Sequence, residues 1–221
     1  QNAEQNRLWV GMSKETAHQL GTPISSLLAW VELLKSRDGD TNLITEVGKD
    51  VNRLEKITER FSRIGSTPVL TEANICIILK NAVEYMKIRT SSRINFIQEF
   101  SEETEILAPI NSELFEWVIE NLWKNALDAM NNSGSITLSV KQSEHSVFID
   151  FSDTGKGIPK SKHKTVFKPG YTTKVRGWGL GLSLTKRIIE SYHKGRIYIR
   201  NSEIERGTTF RIILRKSNNL K

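Results

Sequence analysis

The chain has 221 residues, a formal net charge of +7, 38% hydrophobic and 26% charged residues, and one cysteine. That length holds one large domain or two modest ones, and the balance is that of a folded chain rather than a disordered one. No apolar run reaches the roughly 18–20 residues that cross a bilayer, no signal peptide opens the sequence, and one cysteine excludes an intrachain disulfide or a cysteine-based zinc site.

From about residue 5 to 65 the apolar pattern is helical. Leu20, Ile24, Leu27, Val31 and Leu34 recur at alternating spacings of four and three, the seam of a helix that packs in coiled-coil fashion. Arg37, Asp38, Gly39 and Asp40 break it, and Thr41 is placed to cap a second helix carrying Ile44, Val47, Val51, Leu54, Ile57, Phe61 and Ile64. Two amphipathic helices joined by a turn leave an apolar stripe uncovered, and a hairpin of about 60 residues buries too little alone. Pairing of two copies into a four-helix bundle resolves this, so a homodimer is expected.

Within the first helix, His18 lies roughly 160° around the axis from the mean direction of the seam. A lone histidine on a helix face is commonly just a solvated side chain. Here Thr22 follows one turn later over nearly the same azimuth, and Pro23 bends the helix beside it. An exposed imidazole at a kink suits nucleophilic chemistry.

Residues 66–73 contain Pro68 and lose the helical period, which reads as a linker over 67–73. Beyond it the pattern predicts a helix at 74–89, a strand at 93–100, a strong helix at 111–131, and strands at 135–140 and 147–153. A helix at about 180–193 and final strands at 196–200 and 208–214 complete the chain. Helices mixed with largely antiparallel strands imply an α+β layer of helices on one sheet. Cys76, inside an apolar run, is expected to be a small buried filler and fits a reducing compartment. Trp9, Trp30, Trp117 and Trp123 read as packing anchors.

Three patterns in this second half carry chemistry. Asn121 and Asn125, four residues apart, share one helix face, and their amide oxygens can hold a Mg²⁺ that keeps other oxygen ligands; a merely polar face is the plainer alternative. Asp153 closes a strand before Thr154, Gly155, Lys156 and Gly157, where its carboxylate can accept a hydrogen bond from an exocyclic amine and the glycines admit a ligand close to backbone; an ordinary turn is the alternative. Gly177, Gly179, Leu180 and Gly181 open a predicted helix and present N–H groups to an anion. The densest basic set, Lys160, Lys162, Lys164, Lys168, Lys174 and Arg176, lies between the two glycine motifs. That placement points to nucleotide phosphates, and no nucleic-acid-reading motif is present.

Taken in order, these pieces resemble the sensor histidine kinases and the ATP-binding superfamily that also holds gyrase, Hsp90-type chaperones and mismatch-repair ATPases. The sequence from His18 to Pro23 is similar to the phosphoacceptor box, Asn121 and Asn125 to the asparagine box, and Asp153 to Gly157 to the first glycine box. Residues 167–174 are similar to the phenylalanine box of the nucleotide lid, Gly177, Gly179 and Gly181 to the second glycine box, and residues 207–210 to the closing strand. The resemblance implies a hairpin for dimerisation and phosphotransfer at 1–66 and an ATP-binding domain at 74–217, an α/β sandwich with a mixed, mostly antiparallel sheet. It implies ATP and Mg²⁺ as cofactors and a response-regulator receiver domain as partner. It also implies a cytoplasmic location, with membrane attachment only through segments outside this sequence.

The same resemblance implies that His18 carries the phosphoryl group, that Asn125 with Asn121 positions Mg²⁺, and that Asp153 reads adenine with Thr208 or Thr209. Gly155, Gly157, Gly177, Gly179, Leu180 and Gly181 would shape the pocket, and Lys174 and Arg176 would neutralise terminal phosphates. Two departures stand out. Gln19 replaces the acid that the family usually has after the histidine, so Glu15, one turn earlier and about 60° away, is the substitute base. Asp128 stands where many relatives have a lysine near the phosphates. Thr22 matches a family threonine that orients water for receiver dephosphorylation. His145, His163 and His193 match no motif and are expected to be solvated. Two other readings stay open: a nucleotide-binding scaffold without kinase chemistry, and a mechanochemical ATPase.

Overall fold

The computed structural model describes residues 26, 27, 29, 30, 32–34, 47, 48, 51, 68–101, 103–173 and 179–217. The chain divides into two units, Gln1–Pro68 and Val69–Lys221. In the first, every described residue but Pro68 is helical, at positions within the two predicted helices; His18, Glu15, Gln19 and Thr22 lie outside the described residues. Among the described residues no helix is long and apolar enough to cross a membrane.

The second unit is an α+β sandwich. In chain order it runs β1 (Thr71–Asn74), α1 (Ile75–Lys87), β2 (Ile94–Glu99), β3 (Leu107–Ile110), α2 (Ser112–Ala129), β4 (Gly134–Gln142), β5 (Ser146–Asp153), α3 (Gly181–Arg187), β6 (Arg196–Glu203) and β7 (Gly207–Arg215). Two short 3-10 turns, Lys160–Lys162 and Thr165–Phe167, lie between β5 and α3, and α3 continues as a π-helical turn over Ile188–Tyr192. Five strands form the main sheet in the order β2-β4-β5-β7-β6. Only the β2–β4 pairing is parallel; the others are antiparallel, as a mixed, mostly antiparallel sheet requires.

The sheet's two faces follow from strand alternation. Val147, Ile149 and Phe151 of β5 and Phe210, Ile212 and Leu214 of β7 are buried beneath the helices. On the opposite face Asp150 of β5 stands between Arg211 of β7 and Arg200 of β6. The central helix α2 buries Leu114, Phe115, Val118, Ile119, Leu122, Trp123 and Ala126, the spacing of an amphipathic stripe. Its N-cap Asn111 accepts the N–H of Leu114 at 3.1 Å, and Asn74 caps α1 by accepting that of Cys76 at 3.0 Å. Trp123 is the anchor expected of it: it stacks on Phe96 at 5.4 Å, meets Phe151 edge-on at 6.3 Å, and donates its indole N–H to Thr90 Oγ1 at 3.0 Å. Cys76 is fully buried, and burial pushes its thiol above the ordinary range.

Three expectations need correction. Residues 71–73, read as linker, pair with β3 in a two-stranded antiparallel sheet; the period lost at Pro68 gives way to a strand rather than to loop. His193, expected to be solvated, is 3% exposed, because its ring completes the ends of two other elements. Its Nε2 accepts the N–H of Asn111 at 3.0 Å, so Nδ1–H donates to the carbonyl of Ile188 at 2.9 Å. His163 is half-buried, with Nε2 3.0 Å from the Ile158 carbonyl, whereas His145 is exposed as expected.

Candidate functional site

The candidate site lies where the ends of β5, β7, α2 and α3 meet. Asp153 ends β5 opposite Thr208 of β7, and both side chains are buried. The Asp153 carboxylate accepts the backbone N–H of Gly155 at 2.8 Å, and the Thr208 N–H also hydrogen-bonds it. Burial pushes this carboxyl up to about 6, against the opposing pull of those two N–H groups. At neutral pH it is therefore an ionised acceptor in a poorly solvated position, able to take a donor from a ligand. Thr209, the other threonine predicted here, is on the opposite face of the sheet. It pairs with Ser152, and their hydroxyls are 2.9 Å apart. Strand alternation leaves only Thr208 beside Asp153.

The loop after Asp153 folds back onto the C-terminal end of α2, where the Lys156 N–H donates to the Ala129 carbonyl at 3.0 Å. Gly157 has φ +71°, and a Cβ there would strike the carbonyl of Glu203; only glycine lets the loop turn against the β6–β7 hairpin. One helix thus reaches both glycine motifs. Its end holds the first loop, while Asn121, two turns earlier, faces Gly181 at the start of α3, 3.8 Å from the point where a Cβ would lie. From Asn121 to Ala129 is about 12 Å along the axis, with Asn125 between them and Asp128 exposed near the end. The side-chain nitrogen of Asn121 is buried with no hydrogen-bond partner.

Leu180 is buried beside these glycines. Gly179 has φ +65°, and a Cβ there would lie 2.5 Å from the Tyr171 carbonyl oxygen; its own carbonyl accepts the Gly170 N–H at 3.1 Å. This contact joins the two ends of segment 171–178 at a neck. Phe167, just before the neck, is buried edge-on against Phe210 at 6.2 Å. Lys174, Arg176 and Gly177 lie outside the described residues.

These residues fit a nucleotide and its cation. A buried acceptor at one end suits an amine-bearing base. At the other, the buried and unpartnered side-chain nitrogen of Asn121 can be offered to a phosphate oxygen or, with the amide turned over, replaced by its oxygen facing a cation. Ser202 was not singled out in the sequence. Its hydroxyl lies 2.9 Å from that of Thr208 and accepts the Ile158 N–H at 2.8 Å; a serine in a strand carries no signal of such a role.

A model of the family described as histidine kinase-, DNA gyrase B-, and HSP90-like ATPase matches residues 110–218. The chain is 29% identical over 201 residues to sporulation kinase A of Bacillus subtilis, covering 89% of this chain and 33% of that protein. It is 30% identical over 207 residues to the signal transduction histidine-protein kinase AtoS of Escherichia coli, covering 90% and 33%. The chain therefore spans about a third of the length of these curated relatives. Among solved structures, the catalytic domain of histidine kinase ThkA matches with a TM-score of 0.58 at 29% identity, covering 66% of this chain and 95% of that one. ThkA in complex with response regulator protein TrrA shares the fold at a TM-score of 0.62 and 24% identity, covering 99% and 65%. Through residues 110–218 this chain belongs to the histidine kinase-, DNA gyrase B- and HSP90-like ATPases, and its second unit is the ATP-binding catalytic domain of the sensor histidine kinase kind.

Proposed function

We propose that the chain is the catalytic core of a sensor histidine kinase that uses Mg-ATP to phosphorylate His18 and passes the phosphoryl group to an aspartate of a response-regulator receiver domain. The observation that carries this reading is a buried Asp153 carboxylate at one end of the site and the unpartnered side-chain nitrogen of Asn121 at the other, two turns along α2 from the end that holds the Asp153 loop. The kinases named above lend support, as does the solved pairing of ThkA with a response regulator. On this reading residues 1–66 form a helical hairpin that dimerises as a four-helix bundle, and the ATP-binding domain begins at Val69, earlier than residue 74. The core works in the cytoplasm, and any membrane attachment belongs to other segments of a longer protein.

In the proposed reaction an imidazole nitrogen of His18 attacks the γ-phosphorus. The N–P bond forms as the bond to the bridging β,γ-oxygen breaks, and ADP departs with the electron pair. Asp153 with Thr208 holds the adenine, while Lys174 and Arg176 face the charge developing on the phosphates. Asn125 and Asn121 would hold Mg²⁺, which when bound neutralises phosphate charge. The imidazole proton leaves to Glu15 or solvent, because Gln19 cannot act as a base near neutral pH. The N–P bond then breaks as a receiver carboxylate oxygen takes the phosphoryl group and the ring regains a proton from Glu15 or solvent, restoring neutral His18; Thr22 places a water that hydrolyses the receiver's acyl phosphate to carboxylate and inorganic phosphate.

Incubation with Mg²⁺ and γ-labelled ATP, wild type beside His18→Ala, tests the reading. Acid-labile, base-stable label on wild type alone is expected. Gln19 supports a second reading, a nucleotide-binding scaffold without kinase chemistry; ATP binding with no label on either protein would favour it.

A further inference from the structure

The main sheet has a second face, turned away from the helices, and strand register sets its side chains in rows. One row runs Glu99, Ser139, Asp150, Arg211 and Tyr198, and the next runs Lys141, Phe148, Ile213 and Arg196. A bulge in β6, where its register with β7 shifts between Ile199 and Asn201, ends this pattern and turns Asn201 to this face and Ser202 to the other. Antiparallel sheets commonly give one face to water and place polar residues on it. Here Phe148 and Ile213 are instead a direct cross-strand pair with Tyr198 nearby, and all three are half-buried.

The charge on this face is one-sided. Lys141, Arg196, Arg200, Arg211 and Arg215 project from β4, β6 and β7. Of the acids, Asp150 is held by Arg200 and Arg211, Glu203 at the end of β6 pairs with Arg206, and Glu99 stands on the outermost strand, β2. Lys141, Arg196 and Arg215 are exposed and have no ion-pair partner among the described residues. The Arg196 guanidinium lies 5.2 Å from the Tyr198 ring centre, and that of Arg211 lies 5.5 Å from the Phe148 ring centre.

A second copy of the chain, docked face to face about a two-fold axis, would set these cations against one another. Single-stranded nucleic acid binds such surfaces by stacking bases on aromatic rings, but guanidinium groups already stand over both rings here. Arginine, tyrosine and phenylalanine around an apolar centre make up the composition of protein–protein contacts, where lysine is depleted. The lysine-rich segment 160–168, by contrast, exposes no aromatic side chain. An uncompensated positive field then selects a negative partner. We propose that the outward face of β4, β5, β7 and β6 is a docking surface for an acidic protein segment, with carboxylates meeting Lys141, Arg196 and Arg215 around an apolar centre at Phe148 and Ile213.

The test measures dissociation constants of the whole chain for poly-glutamate, a glutamate–tyrosine copolymer and poly-uridylate by fluorescence anisotropy at about 0.1 M salt. Two triple variants remove the same charge from different places: Lys141→Gln, Arg196→Gln and Arg215→Gln on this face, and Lys160→Gln, Lys162→Gln and Lys164→Gln on the lysine-rich segment. The first is expected to weaken copolymer binding about tenfold and the second less than about twofold. Wild type should bind the copolymer more tightly than poly-glutamate, and Ile213→Ser should remove that difference. Urea midpoints show whether the variants fold, and the single change Arg196→Gln, at an exposed position, serves where a triple variant does not. Equal losses in the two triple variants would mean that binding follows net charge alone and would overturn the proposal. So would a copolymer bound no better than poly-glutamate, or tighter binding of poly-uridylate that the first variant removes, which would assign the face to nucleic acid.

Discussion

Asp153 combines two opposed demands in one side chain. Burial raises its carboxyl from 3.8 to about 6, so the ligand-free fold carries an ionised group that it solvates poorly. The folded state holds the proton more tightly than the unfolded chain does. The stability this group contributes is therefore complete below pH 3.8 and lost as pH rises through about 6. A shift of that size corresponds to about 3 kcal/mol. Asp153→Asn should thus stabilise the nucleotide-free protein by about 2 kcal/mol at pH 8, with the gain vanishing towards pH 4, while abolishing ATP binding. Urea unfolding across that pH range, with calorimetric titration at pH 8, checks both halves. Wild-type affinity for ATP should fall as pH drops below about 6, where the carboxylate takes up its proton.

At the scale of elements, two polar links hold strands and helix ends in register. Asp150 joins β5 to β7 and β6: the Arg211 guanidinium meets both its oxygens at 2.6 Å and Arg200 reaches it at 2.5 Å. Burial alone would raise this carboxyl, but hydrogen bonds and charge from Arg211, then Arg200, outweigh it and hold the group below the ordinary carboxylate range. The sign is opposite to that of Asp153, for this stability is present above pH 3.8 and lost as pH falls through the lowered value. Asp150→Ala should cost about 2 kcal/mol at pH 7, less than a fully buried pair because Arg200 is half-exposed, and urea midpoints would register it. His193 is the second link, between the N-cap of α2 and the π-helical turn after α3. Burial lowers its pKa from 6.5 and keeps the ring neutral, so its contribution falls away as the unfolded chain protonates below pH 6.5. His193→Phe keeps the packing against Phe115 but leaves two backbone groups unpaired. A loss of about 2 kcal/mol at pH 7, with a flatter stability profile between pH 5 and 7, is the expected outcome. Neither link shows in the sequence, where an aspartate in a strand and a histidine near a helix end both read as exposed.

For the whole molecule the departure of greatest consequence is Gln19. If the family acid draws the proton from the phosphoacceptor histidine, Gln19→Glu should raise the autophosphorylation rate about tenfold or more, with the gain largest above the carboxylate range. An unchanged rate at every pH, followed by initial label incorporation, would remove this explanation. The two units also differ in how openly they declare themselves. The seven-residue spacing from Leu20 to Leu27 to Leu34 announces a helix that must pack. The catalytic domain announces itself through glycines and through alternation in β5 and β7.

What the sequence determined by itself was local. Periodicity marked α1, α2 and the strands β2, β4, β5, β6 and β7, because an amphipathic element writes its buried face into the spacing of its apolar residues. The turn chemistry after Asp153 marked the first glycine loop for the same local reason. Strands β1 and β3 escaped notice because each spans four residues, too few to establish a period, and each exists only by pairing with the other. Which threonine joins Asp153, where Ser202 points after its bulge, and why His193 is buried were decided by the tertiary structure alone. Each of these depends on cross-strand register or on backbone groups contributed from tens of residues away, and no spacing along the chain encodes that.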